Sequence, residues 1–267
     1  MTDKNVENDV ATVDCVQNMN SFFVLDKGLF PDIGFECFGF GHFLWLFVIG
    51  TGLVLGCFAY RKAPPERRPR LRLLAASAAL GLELMRAGLL MSRGQYDLGR
   101  LPLHLCSLSI YLCFFHALTG RPGLGQFLYA FTLPGAAFAL LFPDWAGQPL
   151  FCFITVSSFL LHFLLVLYPL MQAVVGELRP EPRRLPGCIG RMLLLALPVY
   201  VFNKLYNTNY MFLNLPPAGS PLALFAFLGR PGYLLGYIPL ALGVWALLYG
   251  QELWGLFSKN NSFFKEK

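Results

Sequence analysis

His104 and Cys106 lie two residues apart in the stretch "RLPLHLCSLSIYL", Arg100 to Leu112. An imidazole and a thiol are the raw materials of acyl transfer. A thiolate attacks an ester carbonyl, and a neutral imidazole is the base that makes the thiolate. The spacing nonetheless argues against a local pair, because residues two apart on a helix point about 200° away from each other. His104 then shares a face with Ser107 and Tyr111, and Cys106 with Ser109 and Cys113. Each needs a partner from another segment. Thr155, Ser158 and His162 form a polar stripe at helical spacing in a long apolar run. His162 is therefore the expected base for Cys106, with His104 as a further catalytic group.

The ionisable side chains inside apolar stretches are His42, Glu83, Arg86, His104, His116 and His162. Such groups are costly at membrane depth and are paired or functional. Glu83 and Arg86 are three residues apart, so they form an ion pair on one helix face or present the guanidinium to an anionic head group. Asn203, Lys204 and Asn207 close another apolar run. Glu83, Arg86, Asn203, Lys204 and Asn207 are the expected substrate-binding residues.

The elements that must position these groups follow from composition. The 267-residue chain is 56% hydrophobic and 13% charged, where soluble domains carry about 25% charged residues. Mean hydropathy is +0.54. A membrane helix needs about 20 apolar residues, and seven stretches come close: 37–60, 71–91, 101–119, 125–142, 150–175, 189–207 and 232–250. The fourth contains Pro134 and is expected to be kinked. Fourteen Lys and Arg residues fall on one side of this threading and six on the other. That asymmetry orients the N-terminus outside and the C-terminus in the cytoplasm. The expectation is an all-α polytopic bundle of about seven transmembrane helices. A polar extracytoplasmic segment 1–36 precedes the helical domain 37–250, and a cytoplasmic tail 251–267 follows it.

In this orientation five helices bring polar groups to the outer half, which predicts a chamber there. The inner half reads as apolar apart from His116. The net charge of +6 sits in short loops, as anchoring charge does, which argues against a nucleic-acid partner. Two basic, Pro-rich loops, "KAPPERRPR" and "LRPEPRRLP", read as stiff connectors. The seven cysteines make no C-x-x-C and no zinc-ligand spacing. No metal and no cofactor is expected.

The segments "LPLHLCSLSIYL", "TLPGAAFALLFPD", "FLLHFLLVLYPL" and "TNYMFLNLPPAGSPL" resemble the YwaF-like bacterial membrane proteins, a family related to transmembrane protein 164. The resemblance spans roughly residues 71–215. It implies a multi-pass protein of the bacterial cytoplasmic membrane. From the eukaryotic relative it also implies acyl transfer onto ether phospholipids, with a membrane lipid as substrate. More distantly similar are androgen-induced hydrolases that use Thr and His. The relative's two intramembrane histidines fall on His104 and His162. Its nucleophilic cysteine falls on Leu103, and the thiol here is Cys106. The expected function is a lipid acyltransferase or hydrolase working through Cys106 and His162. A small transporter or lipid-binding membrane protein without catalysis is the alternative.

Overall fold

The computed structural model describes Phe22 and residues 34–250; the rest of the expected segment 1–36 and the tail 251–267 lie outside the described residues. Among the described residues there are helices and no strands. Six helices are long and apolar enough to cross a membrane: α1 Phe40–Lys62, α2 Arg68–Ser92, α4 Pro122–Leu141, α5 Phe153–Val174, α6 Pro182–Tyr206 and α7 Gly232–Gly250. A shorter apolar helix, α3 Leu105–Thr119, lies between α2 and α4. The seven segments match the seven stretches expected from hydropathy.

Helices α4 and α5 form the centre. Each buries 56% of its most apolar window, against 11–22% for α1, α2, α6 and α7. The peripheral helices therefore turn long rows of Leu, Phe and Val outward, as a chain solvated by lipid must. Helix α5 packs against α1, α2, α3 and α4. This is why its polar stripe of Thr155, Ser158 and His162 points into protein rather than lipid.

The expected kink in α4 takes a specific form. A π-helical turn, Leu128–Thr132, precedes Pro134. Proline has no N–H to offer the carbonyl four residues back, and that carbonyl is Ala130. It accepts the indole N–H of Trp245 from α7 at 3.0 Å. Ser109 on α3 and Thr132 in the same turn share a hydrogen bond of 2.7 Å. The irregular backbone is thus bridged to two neighbouring helices.

The end of the bundle that the charge pattern assigns to the inner half is less apolar than expected. At the end of the bundle holding Lys62 and Arg68, Tyr60 donates to Glu177 at 2.6 Å, and Arg68 and Arg72 pair with the same carboxylate at 3.3 and 3.4 Å. Arg72 also reaches Gln172, and His116 bonds the Tyr168 hydroxyl at 2.8 Å. Tyr, Gln and helix-end Arg are hard to see as buried polar groups in a hydropathy reading, since their long stems carry the polar atom to a partner from another helix.

Candidate functional site

The site starts with a helix that begins late. The stretch Leu101–His104 is not helical, and α3 starts at Leu105 with His104 as its extended N-cap, φ −67° and ψ 149°. Pro102 keeps Leu101 out of helical geometry and removes one amide. At about 1.5 Å per residue the 15-residue α3 spans about 22 Å, less than a ~30 Å hydrocarbon core. Non-helical backbone in such a place survives only where protein satisfies its polar groups. Tyr210 does this: its hydroxyl accepts the Leu101 N–H and donates to the Leu98 carbonyl, both at 2.7 Å.

This geometry revises the relation between His104 and Cys106. The 200° separation assumed a continuous helix, and His104 lies outside it. Cys106 is the second helical residue, half-buried among core side chains. The first-turn amides of α3 have no intrahelical acceptor, and His104 gives them no side-chain cap. The thiol therefore sits at the positive end of a helix dipole.

His104 is held by the segment after α6. Its Nδ1 accepts the Met211 N–H at 3.3 Å, which leaves the proton on Nε2. Its ring meets Tyr210 edge-on at 5.1 Å and Phe212 at 5.5 Å. Met211 and Phe212 adopt left-handed φ of 55° and 52°, a conformation that costs non-glycine residues energy unless the surroundings enforce it. Asn203, Tyr233 and Tyr237 enforce it by binding the backbone of Tyr210, Phe212 and Met211.

His162 is held from within its own helix. Its Nδ1 lies 2.7 Å from the Ser158 carbonyl oxygen. A carbonyl only accepts, so Nδ1 carries the proton, and the Nε2 lone pair has no hydrogen-bond donor among the described residues. The imidazole stacks on Trp145, centroids 4.9 Å apart and planes 24° apart.

Glu83 and Arg86 pair at 3.7 Å, the carboxylate buried and the guanidinium half-exposed. Beyond that ion pair the buried Glu83 Oε2 has no hydrogen-bond partner among the described residues. The charges of Asp144 and Arg86 reach His104, Cys106 and His162 alike, and that of Glu83 reaches His104 and Cys106. These groups occupy one electrostatic neighbourhood.

The other expected binding residues lie elsewhere. Asn203 is fully buried, its amide occupied by Tyr210 and Thr208. Lys204 is exposed, over the Tyr200 ring at 5.1 Å. Asn207 is an exposed left-handed C-cap. Lys204 and Asn207 share no hydrogen bond or ring contact with His104, Cys106 or His162. His42 is a staple: Nδ1 accepts the Phe38 N–H at 2.9 Å and Nε2 donates to Leu140 at 2.8 Å. The sequence reading missed Asp144 and Trp145. The signal was the "FPDW" that closes α4, an aspartate and a large ring directly after an apolar run.

Helices with lipid-facing flanks around a half-buried polar cluster define a multi-pass integral membrane protein with a candidate intramembrane site. Residues 37–249 match the TMEM164 family, and the chain belongs to it. No curated protein matches the chain, and no solved structure does.

Proposed function

We propose that this protein is a membrane-embedded lipid acyltransferase, with hydrolysis as the same chemistry when water replaces the acceptor. The observation that carries the reading is the fixed tautomer of His162, whose Nδ1–H is tied to Ser158 and whose Nε2 is unbonded among the described residues. His42, by contrast, has both ring nitrogens bonded. A part-buried imidazole protonated at Nδ1, with Nε2 unbonded among the described residues, has the form a general base needs for the helix-terminal thiol of Cys106.

In this reading His162 Nε2 removes the Cys106 proton, and the thiolate attacks the carbonyl of an acyl ester. The tetrahedral oxyanion is held by the first-turn amides of α3 and by the Nε2–H of His104. The intermediate collapses to a thioester, and the departing lysolipid alkoxide takes the proton back from His162. The acceptor hydroxyl then gives its proton to His162 and attacks the thioester, which forms the new ester and returns the thiol. Arg86, whose terminal nitrogens hold no hydrogen bond among the described residues, faces the donor or acceptor phosphate. A lipid substrate fits a site at one end of a bundle with apolar flanks, reached sideways from the bilayer. The setting is a bacterial cytoplasmic membrane, with the His104 end of the bundle outward.

The test is acyl exchange between a radiolabelled phospholipid and a lysophospholipid in reconstituted vesicles. Cys106→Ala and His162→Ala should each abolish exchange. Full exchange in both variants, with vesicles that still bind lysolipid saturably, would replace this reading with lipid binding or transport.

A further inference from the structure

Trp145 is the inner wall of this neighbourhood. It is 6% exposed, its ring lies flat on His162, and Phe159 meets it edge-on at 5.3 Å. Its indole Nε1–H is buried and has no hydrogen-bond partner among the described residues. The other described tryptophans differ: Trp45 donates to the Leu150 carbonyl at 3.4 Å and Trp245 to the Ala130 carbonyl at 3.0 Å. A buried indole N–H nearly always finds an acceptor. An indole nitrogen donates only, so the missing partner is an acceptor atom, and the ring's position puts that atom beside His162.

We propose that Trp145 is a further catalytic residue, whose Nε1–H donates to the ester carbonyl oxygen of the bound acyl lipid and follows it as it becomes an oxyanion. This rests on the acyl-transfer reading above. It also assigns a substrate feature, an ester-linked acyl chain at the reacting position, because an ether-linked alkyl chain has no carbonyl oxygen to accept the N–H. A phosphate oxygen is the competing acceptor. Arg86 serves that role from α2, whereas an atom placed against both Trp145 and His162 is one at the reacting centre. The stacked geometry adds a second duty, since an aromatic face fixes the imidazole plane and keeps water from one side of it.

Two variants separate donor from wall. Trp145→Phe keeps an aromatic face and deletes the N–H. It should lower exchange by about 100-fold, the usual effect of losing one oxyanion donor, while alkylation of Cys106 by iodoacetamide is unchanged. Trp145→Leu deletes both and should slow exchange and alkylation together. Full exchange in Trp145→Phe would overturn the donor role and leave the Cys106 and His162 roles standing. A readout independent of turnover uses the indole 15N–1H signal that Trp145→Phe removes. It should shift when diester phosphatidylcholine is added to Cys106→Ala protein in micelles and stay put with the diether analogue. An equal shift with both lipids, or none with either, overturns the assignment even if the acyl-transfer reading holds.

Discussion

The side-chain amide of Asn203 grips both backbone groups of Tyr210: Nδ2 donates to its carbonyl at 2.8 Å and Oδ1 accepts its N–H at 2.9 Å. Tyr210 in turn secures the extended stretch before α3, and the residue after it, Met211, caps His104. Asn203 is therefore two steps from the imidazole without touching it. Asn203→Ala leaves two buried backbone groups unpaired, a cost of about 2–4 kcal/mol. Thermal unfolding in detergent should begin several degrees lower. Exchange at temperatures where the variant is folded should fall as His104 loses its seat. An unshifted melting curve would show that other contacts hold the turn.

The tautomer of His162 yields a sharper test than truncation. Asn at this position carries an N–H that can reach the Ser158 carbonyl but has no basic nitrogen. His162→Asn should keep the fold and lose roughly 100- to 10,000-fold in exchange, the usual range for a general base. The thiol should become slow to alkylate at the same time. Retained exchange with a slow thiol would assign the base role elsewhere, with His104 next in line.

The seven helices were legible because lipid solvation imposes long apolar runs, and the positions of His104, Cys106 and His162 were visible as polar breaks in those runs. What the sequence hid has physical causes. Helix α3 begins only after His104, so an argument from helical spacing was applied to residues that do not share a helix. Asn203 looked like a chamber residue because type and depth say nothing of partners, and its amide is occupied by backbone seven residues away. Trp145 at a span end reads as an interface anchor. Only the fold shows it turned inward onto His162.

Cysteine reactivity gives a third test that needs no lipid. Cys106 lies in the first turn of α3, where the helix dipole favours a thiolate. Cys113, Cys152 and Cys188 are buried, and Cys57 is half-buried within α1. Alkylation followed by peptide mapping should find Cys106 modified before Cys57, Cys113 and Cys152, with the lead lost in His162→Ala. Uniform slow modification would count against an activated thiol.

The Glu177 cluster is predicted to matter for stability and not for chemistry. One carboxylate ties Tyr60 on α1 to Arg68 and Arg72 on α2, at the end of the bundle remote from His104. Glu177→Ala leaves the Tyr60 hydroxyl and two partly buried guanidinium groups without their acceptor, a loss of about 1–3 kcal/mol. The melting temperature should drop while the exchange rate per folded molecule is unchanged. An equal fall in both would connect the two ends of the bundle.

Orientation is the last expectation to be measured. The basic loops flank the Lys62 and Arg68 end, and positive charge is retained on the cytoplasmic side. The Phe40 end, with His104 and the candidate site, then faces outward. Cys37 is exposed at that end, three residues before α1, and Thr119 is exposed at the other, closing α3. In a variant whose only cysteine is Cys37, a membrane-impermeant maleimide should label intact cells that express it. When the only cysteine is instead Thr119→Cys, labelling should require that the cells first be opened. The reverse pattern would place the candidate site in the cytoplasmic leaflet and change which lipids can reach it. The helix packing and the His162 tautomer would be unaffected.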